Sequence, residues 1–397
     1  MAQSLRVLVL TTSYLPGYKA GGPVRSISGM IESLGDEFEF RVVTLDRDLG
    51  DRQPYANIVP NQWTQVGKAQ VMYLPPRRAQ IDLLARLICE TPHDVIYLGG
   101  GFDSTMVLRT LLLRWMGRID APAVMLAPQG VFSRGALAIK PHKKKLFLAL
   151  ARHFGLYGGV TWHVSTPFEK HDVRRALQLK GKPHFVVVAP DITAAAAAPP
   201  AIEHRKTAGR LQAVFLSRIS PVKNLDGALR ILQGVDVPID YHIYGPLEDR
   251  AYWRVCEQEM RKLPANVSAV YHGPIPHDQV AAVMRSHDLF FLPTRGENFG
   301  HVIAEALREG CPALLANTTA FRRLEEQNAG WDLPLNDIEG FRQVLRQCAA
   351  MSHEQWQTWS DGARRLAAAM TSDEVITATY RKAFRELAAR GAAARAA

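Results

Sequence analysis

Two carboxylates in the run FLPTRGENFGHVIAEALREG have the type and spacing to grip a ligand: Glu297 and Glu305, separated by seven residues. A buried-strand pattern ends at Pro293, a polar loop carries Glu297, and a helical pattern starting near Phe299 and Gly300 carries Glu305 about two turns in. On a straight helix, eight steps of ~1.5 Å would set the two acids ~12 Å apart. That is wider than the ~5–9.5 Å carboxylate pairs of glycoside hydrolases, so the pair suits two grips on one extended ligand. The helix start adds the amides of Asn298, Phe299 and Gly300, whose N–H groups suit anionic or hydroxyl oxygens. Glu305 has Ile303, Ala304, Ala306 and Leu307 for neighbours, which argues against a merely solvated helix acid.

A second group lies in VFLSRISPVKNLDGALRIL. An apolar strand runs into Arg218, and Lys223 follows just before a helix whose expected N-cap is Asn224. Two cations at a strand end suit a diphosphate, with Arg able to bind bidentately and Lys acting as a point charge. A third group is Gly21-Gly22, between the first strand and the first helix, where glycine lets backbone amides approach a phosphate or sugar closely. Neither GxGxxG nor GxxxxGK[ST] occurs, which weighs against dinucleotide and P-loop chemistry.

These groups need strands and helices to hold them. Short, nearly continuous apolar runs, the pattern of parallel strands buried on both faces, begin at Arg6, Phe40, Val71, Asp94, Ala123, Val160 and Phe185. Helical periods fall over Pro23–Leu34, Ile81–Cys89, Ser104–Met116 and Phe168–Gln178. After an Ala/Pro-rich stretch the pattern restarts, with strands from Ala213, Asp240, Ala269, Asp288 and Pro312. The expected fold class is α/β, with two doubly wound Rossmann-like domains facing a cleft. The domains are 1–192 and 210–371, joined by a linker over 193–209. A helix over about 372–390 either caps the second domain or crosses back to the first, and the terminal GAAARAA is expected to fray.

Composition narrows the partners. The chain has 397 residues and a formal charge of +10, which calls for an anionic partner: nucleic acid, an acidic membrane surface or a phosphorylated substrate. Cys89, Cys256, Cys311 and Cys348 show no zinc or CxxC spacing, consistent with a reducing compartment. Neither a signal peptide nor a membrane span is expected, and the expected location is cytoplasmic. Lys140, His142, Lys143, Lys144 and Lys145 precede an apolar helical stretch, Leu146–Phe154. The segment lacks interleaved aromatics, which disfavours nucleic acid. Lys143, Lys144 and Lys145 are candidates for docking on an anionic membrane or a lipid pyrophosphate.

Taken together, the Gly-Gly loop, SRISPVKN, IYGP, HGPIP and ENFGHVIAEAL make the chain resemble the retaining glycosyltransferases of family 4, which have the GT-B fold. The resemblance spans nearly the whole chain. It implies transfer of a hexose-type sugar from a UDP- or GDP-sugar to an acceptor hydroxyl, with no metal or other cofactor. By resemblance, Arg218 and Lys223 stabilise the departing diphosphate, and Glu297 with the amides of Asn298, Phe299 and Gly300 holds the donor sugar. Glu305 takes the ribose hydroxyls, Gly21 and Gly22 approach the phosphates, and Tyr244, Gly245, Pro274 and Ile275 border the nucleotide. The implied acceptor is a lipid-linked saccharide of bacterial polysaccharide synthesis, reached at the inner face of the cytoplasmic membrane. One position departs from the pattern: Gln129-Gly130 stands where many members carry His-Gly, and an amide can hydrogen-bond but cannot titrate. His301 reads as structural or donor-contacting rather than as a base. The competing readings are a GT-B sugar-nucleotide epimerase, a phosphorylase-type enzyme, and a non-catalytic sugar-nucleotide-binding partner of another transferase.

Overall fold

The computed structural model describes residues 4–76, 80–138, 141–178, 185–192, 204–370 and 373–396. The chain divides into two compact units, Met1–Ala195 with Asp373–Ala397, and Ala196–Ser372.

The first unit runs β1 (Leu5–Leu10), α1 (Gly22–Leu34), β2 (Phe38–Leu45), β3 (Trp63–Val66), β4 (Ala69–Leu74), α2 (Ile81–Glu90), β5 (Val95–Gly99), α3 (Val107–Trp115), β6 (Val124–Ala127), α4 (Arg134–Ala138), α5 (Pro141–His153), β7 (Thr161–Val164), α6 (Pro167–Leu177) and β8 (Val186–Val188). Its sheet has the order β3-β4-β2-β1-β5-β6-β7-β8. All pairings are parallel except β3 with β4. Strand order reverses between β1 and β5, so the loops after these strands flank the switch point, where doubly wound sheets bind ligands. Apolar layers cover both faces, which explains why the central strands read as unbroken apolar runs. The polar, half-exposed β3 carried no such signal.

The second unit runs β9 (Leu211–Leu216), α7 (Leu225–Leu232), β10 (Ile239–Tyr244), α8 (Arg250–Met260), β11 (Val267–Gly273), α9 (His277–Arg285), β12 (Leu289–Leu292), α10 (His301–Arg308), β13 (Ala313–Ala316), β14 (Gly330–Leu333), α11 (Ile338–Ala350) and α12 (His353–Met370). Its parallel sheet has the order β11-β10-β9-β12-β13-β14, with the switch point between β9 and β12.

Two stretches differ from expectation, the end of the linker and the chain terminus. Residues 193–203 of the expected linker lie outside the described residues. Residues 204–209 pack on the second unit instead of spanning freely: His204 pairs with Asp288 at 2.7 Å, and the buried Lys206 donates to the Thr207 carbonyl at 2.7 Å. The last helix, α13 (Asp373–Ala396), belongs to the first unit. It buries Tyr380, Phe384 and Leu387 there, with Phe384 5.7 Å from Phe38. It also runs through the terminal segment expected to fray. Gly391 is buried so tightly against Ala123 that a Cβ would come within 2.7 Å of it, and Arg395 pairs with Asp120 at 2.9 Å. A small residue that permits close approach, together with one ion pair, replaces the large apolar side chains that the sequence lacks there. Among the described residues, no helix is long and apolar enough to cross a membrane.

The second unit contains an acid-sensitive element. His287, two residues past α9, is buried and donates from Nδ1 to the Val283 carbonyl at 2.6 Å. Burial pulls its pKa down to about 4, and nearby His242 adds to the effect. Because the folded value lies below the unfolded one, the stabilisation is complete above the unfolded pKa of about 6.5 and is lost as pH falls towards 4. Full loss corresponds to about 3 kcal/mol, since a tenfold change in proton affinity between the two states is worth about 1.4 kcal/mol. Urea unfolding of the wild type between pH 7 and pH 4.5 is expected to show a steeper decline than in His287→Gln; identical slopes would contradict this assignment.

Candidate active site

The carboxyl ends of β9 and β12, on either side of the switch point, are stitched together by their loops. Arg295 N donates to the Val222 carbonyl at 2.8 Å, and Thr294 Oγ1 donates to the same oxygen at 3.0 Å. Asn224 was expected to cap α7, but its side chain makes no cap bond and its φ is +57°. Instead Nδ2 donates to the Pro293 carbonyl at 2.8 Å, and Oδ1 accepts from Arg295 Nε at 3.0 Å. The asparagine therefore locks one loop to the other, an alternative open to short polar side chains at helix starts.

This arrangement brings Lys223 Nζ to 2.5 Å from Glu297 Oε2, with side chains only 10% and 14% exposed. An ion pair so far withdrawn from water is screened less than a surface pair. Arg218, two residues past β9, is half exposed and rests on Glu248 Oε1 at 3.0 Å. Both cations thus have an acidic partner that the sequence did not announce. Asn298 N meets Glu297 Oε1 at 3.3 Å. Gly300 has φ +85°, and a Cβ there would press on Ile303, Glu297 and Phe321, so only glycine makes this turn into α10 comfortably.

Glu305 is buried on α10, and its Oε1 lies 3.1 Å from His277 Nε2 at the start of α9. His277 was missed because lone histidines carry no distinctive spacing. The IYGP loop docks by backbone: Ser217 N donates to the Tyr244 carbonyl at 3.1 Å and Gly245 N to the Gly273 carbonyl at 2.9 Å. Gly245 has φ +137°, and a Cβ there would sit 1.8 Å from the Ser217 carbonyl, which makes glycine obligatory at this close approach. The Tyr244 ring stacks on His272 with centroids 4.7 Å apart. Burial raises the Tyr244 pKa, which keeps its hydroxyl neutral. Pro274 is exposed, whereas Ile275 is half-buried against the core of the unit. His301 is buried and stacks edge-on with Phe299 at 4.9 Å.

In the first unit, Gly21 (φ +68°) precedes α1 and Gly22 is its first residue. Gln129 and Gly130 follow β6 and both have positive φ, 55° and 79°. Buried Glu169 fixes this turn by accepting from Gly130 N at 2.6 Å and from Ser165 N at 2.8 Å. The Gln129 amide nitrogen is buried without an acceptor among the described residues. Gly21 and Gly22 thus lie at the carboxyl end of β1, and Gln129 and Gly130 at that of β6. Arg218, Lys223, Tyr244, Gly245, Pro274, Ile275, Glu297 and the start of α10 lie at the carboxyl ends of β9 to β12.

Residues 202–365 match the family model described as glycosyl transferases group 1. The second unit carries a glycosyl transferases group 1 domain. Over 220 residues, 48% of this chain, the sequence is 29% identical to the D-inositol 3-phosphate glycosyltransferase of Jonesia denitrificans. The match spans about half, 49%, of that relative's length. Among solved structures, the sucrose-phosphate synthase of Thermosynechococcus elongatus superposes with a TM-score of 0.70 at 14% identity, over 97% of this chain and 99% of that one. Anabaena HepE in complex with UDP and glucose gives 0.68 at 14% identity, over 96% and 100%. The chain has the two-domain α/β GT-B-type fold, and the group 1 domain holds the Lys223–Glu297 pair and Glu305.

The lysine cluster needs correction. Lys143 and Lys145 are exposed on α5, but Lys144 turns inward. Its Nζ donates to the Ala136 carbonyl at 2.6 Å and sits 5.6 Å from the centre of the Phe102 ring. Successive helical positions differ by about 100°, so Lys144 projects in a different direction from Lys143 and Lys145, here towards Ala136 and Phe102. Lys140 lies outside the described residues.

Proposed function

We propose that the protein is a retaining, metal-independent glycosyltransferase. It would move a hexose-type sugar from a nucleoside-diphosphate sugar to a hydroxyl of a lipid-linked saccharide acceptor in bacterial polysaccharide synthesis. The observation that carries this reading is the Lys223–Glu297 pair at a sheet switch point inside a glycosyl transferases group 1 domain.

In this reaction the bond between the anomeric carbon and the phosphate oxygen breaks, and the acceptor oxygen bonds to the same face of that carbon. The acceptor proton passes to the departing phosphate. Negative charge grows on the diphosphate, where Arg218 and Lys223 receive it. Cations held in place before the reaction stabilise a leaving group without reorganisation cost, the part a divalent metal plays in other transferases. Glu297 and the amides of Asn298 to Gly300 hold the sugar hydroxyls, and Glu305 accepts from the ribose. Tyr244, Gly245, Pro274 and Ile275 border the nucleotide. Gln129 and Gly130 are assigned to the sugar and acceptor side, and Gly21 and Gly22 to phosphate approach. A screen of UDP-, GDP- and ADP-sugars by thermal shift tests the donor. A UDP-sugar is expected to raise the melting temperature most, since HepE holds UDP. No shift with any of them would refute the reading.

The lipid-linked acceptor is supported by α5. Leu146 and Leu150 are exposed on the same helix as Lys143 and Lys145, and exposed Phe154 follows its last residue. Trp115 and Met116 at the end of α3 extend the patch, with Trp115 6.1 Å from Phe154. Apolar side chains flanked by lysines suit an anionic bilayer surface at the inner face of the membrane. At about 1 kcal/mol per lysine, Lys143→Ala with Lys145→Ala should weaken binding to phosphatidylglycerol vesicles roughly 30-fold at low salt. Unchanged co-sedimentation would remove the membrane from the proposal.

A further inference from the structure

A cavity of about 800 Å³ opens in the first unit at the amino-terminal ends of β6, β7 and β8, the opposite sheet edge from Gln129 and Gly130. Its size falls within the range of small-molecule sites. Buried Tyr157, Val160, Leu177 and Leu387 give it an apolar floor. Gly158 and Gly159 leave one wall without side chains.

Two guanidinium groups line the same space, Arg152 from α5 and Arg390 from α13. Arg390 lies over the Phe185 ring, its carbon 3.8 Å from the ring centre, and its Nε donates to the Glu386 carbonyl at 3.3 Å. The stacking fixes the plane of the guanidinium and leaves its terminal nitrogens without an acceptor among the described residues. Arg152 likewise has no carboxylate partner among them. Arg6, Lys223 and Arg285 each have a carboxylate, and neighbouring Arg114 is held by the Ala121 and Gly158 carbonyls, so two arginines without a carboxylate beside one cavity form a charge arrangement that an anion completes. The carbonyl end of α5 also reaches this edge, and loop amides meet it: Gly155 N donates to the Arg152 carbonyl at 3.3 Å and Leu156 N to the Ala151 carbonyl at 2.9 Å. The field at the mouth is therefore set by the arginines.

We propose that this cavity binds an anionic amphiphile, its phosphate or carboxylate head on Arg152 and Arg390 and its apolar body against Tyr157, Leu177 and Leu387. The site does not rest on the transferase reading. Titration calorimetry on the full chain with octyl phosphate, inorganic phosphate and octanol tests it. Saturable one-to-one binding of octyl phosphate is expected, with the other two at least about tenfold weaker, because each supplies only half of the interaction. Arg152→Gln with Arg390→Gln should weaken octyl phosphate at least about tenfold. Ala149→Trp, on the exposed α5 wall of the cavity, should do the same by filling it with both charges intact, which separates occupancy from general electrostatics. Circular dichroism melts matching the wild type establish that these variants are folded. If Ala149→Trp also weakens phosphatidylglycerol vesicle binding, the natural source is a membrane lipid; if only octyl phosphate is affected, it is a soluble amphiphile. Failure of octyl phosphate to bind, equal binding of octanol, or wild-type affinity in both variants would overturn the site.

Discussion

Replacing Lys223 with alanine is expected to lower the rate of sugar transfer by about 10²–10³-fold, the loss typical of removing one preorganised donor from a developing negative charge. The side chain is held in place before any ligand arrives: its Nζ is 2.5 Å from Glu297, and the site around it is largely closed to water. Its removal has two consequences. In the proposed reaction the diphosphate loses a cation as it departs, and Glu297 loses the ammonium group that its carboxylate pairs with. The effect should therefore fall on kcat more than on KM for the donor. Lys223→Arg should not restore activity fully, because a planar fork cannot occupy the place of a compact ammonium. Glu297 sits in a loop with some access to solvent, so the variant is expected to fold, and thermal melts check this. Transfer within threefold of wild type, in a folded Lys223→Ala protein, would refute the proposed role.

Glu305→Ala is the second large effect. Its carboxylate is buried on α10 with one oxygen 3.1 Å from His277. A carboxylate that accepts from two ribose hydroxyls makes charge-assisted bonds worth about 1.5–3 kcal/mol each. Donor KM is expected to rise about 100-fold, with transfer nearly lost at ordinary donor concentrations. Glu305→Gln should lose less, since an amide oxygen still accepts one such bond. The histidine partner is half exposed, so water replaces its lost acceptor and structural cost there is small. Steady-state kinetics against donor concentration would separate this variant from Lys223→Ala: one raises KM, the other lowers kcat. If both variants behaved alike, the division of labour between the two residues would be wrong.

Much of this site was legible in the amino-acid order because each feature is local. Continuous apolar runs specify strands buried on both faces, and Gly21, Gly245 and Gly300 stand where the backbone must turn or approach closely. The cations of SRISPVKN and the acids of ENFGHVIAEAL follow directly on apolar runs, so strand and loop fix their positions. The edge strand β3 and the short β14 were not legible, because edge strands need little hydrophobic signal and brief ones offer few residues to show a period.

Pairing was decided only by the tertiary structure. Lys223 meets Glu297 across 74 positions of chain, Glu248 meets Arg218 and His277 meets Glu305. Asn224 abandons a cap to join two loops, Lys144 turns away from its neighbours, and the terminal helix packs on the first unit through Phe384 and Gly391. Each outcome depends on which surfaces face one another after the sheets form, and side-chain type and spacing carry no information about distance between remote segments. The sequence alone determined the chemistry available, cations and carboxylates at strand ends. The fold determined which of them lie together.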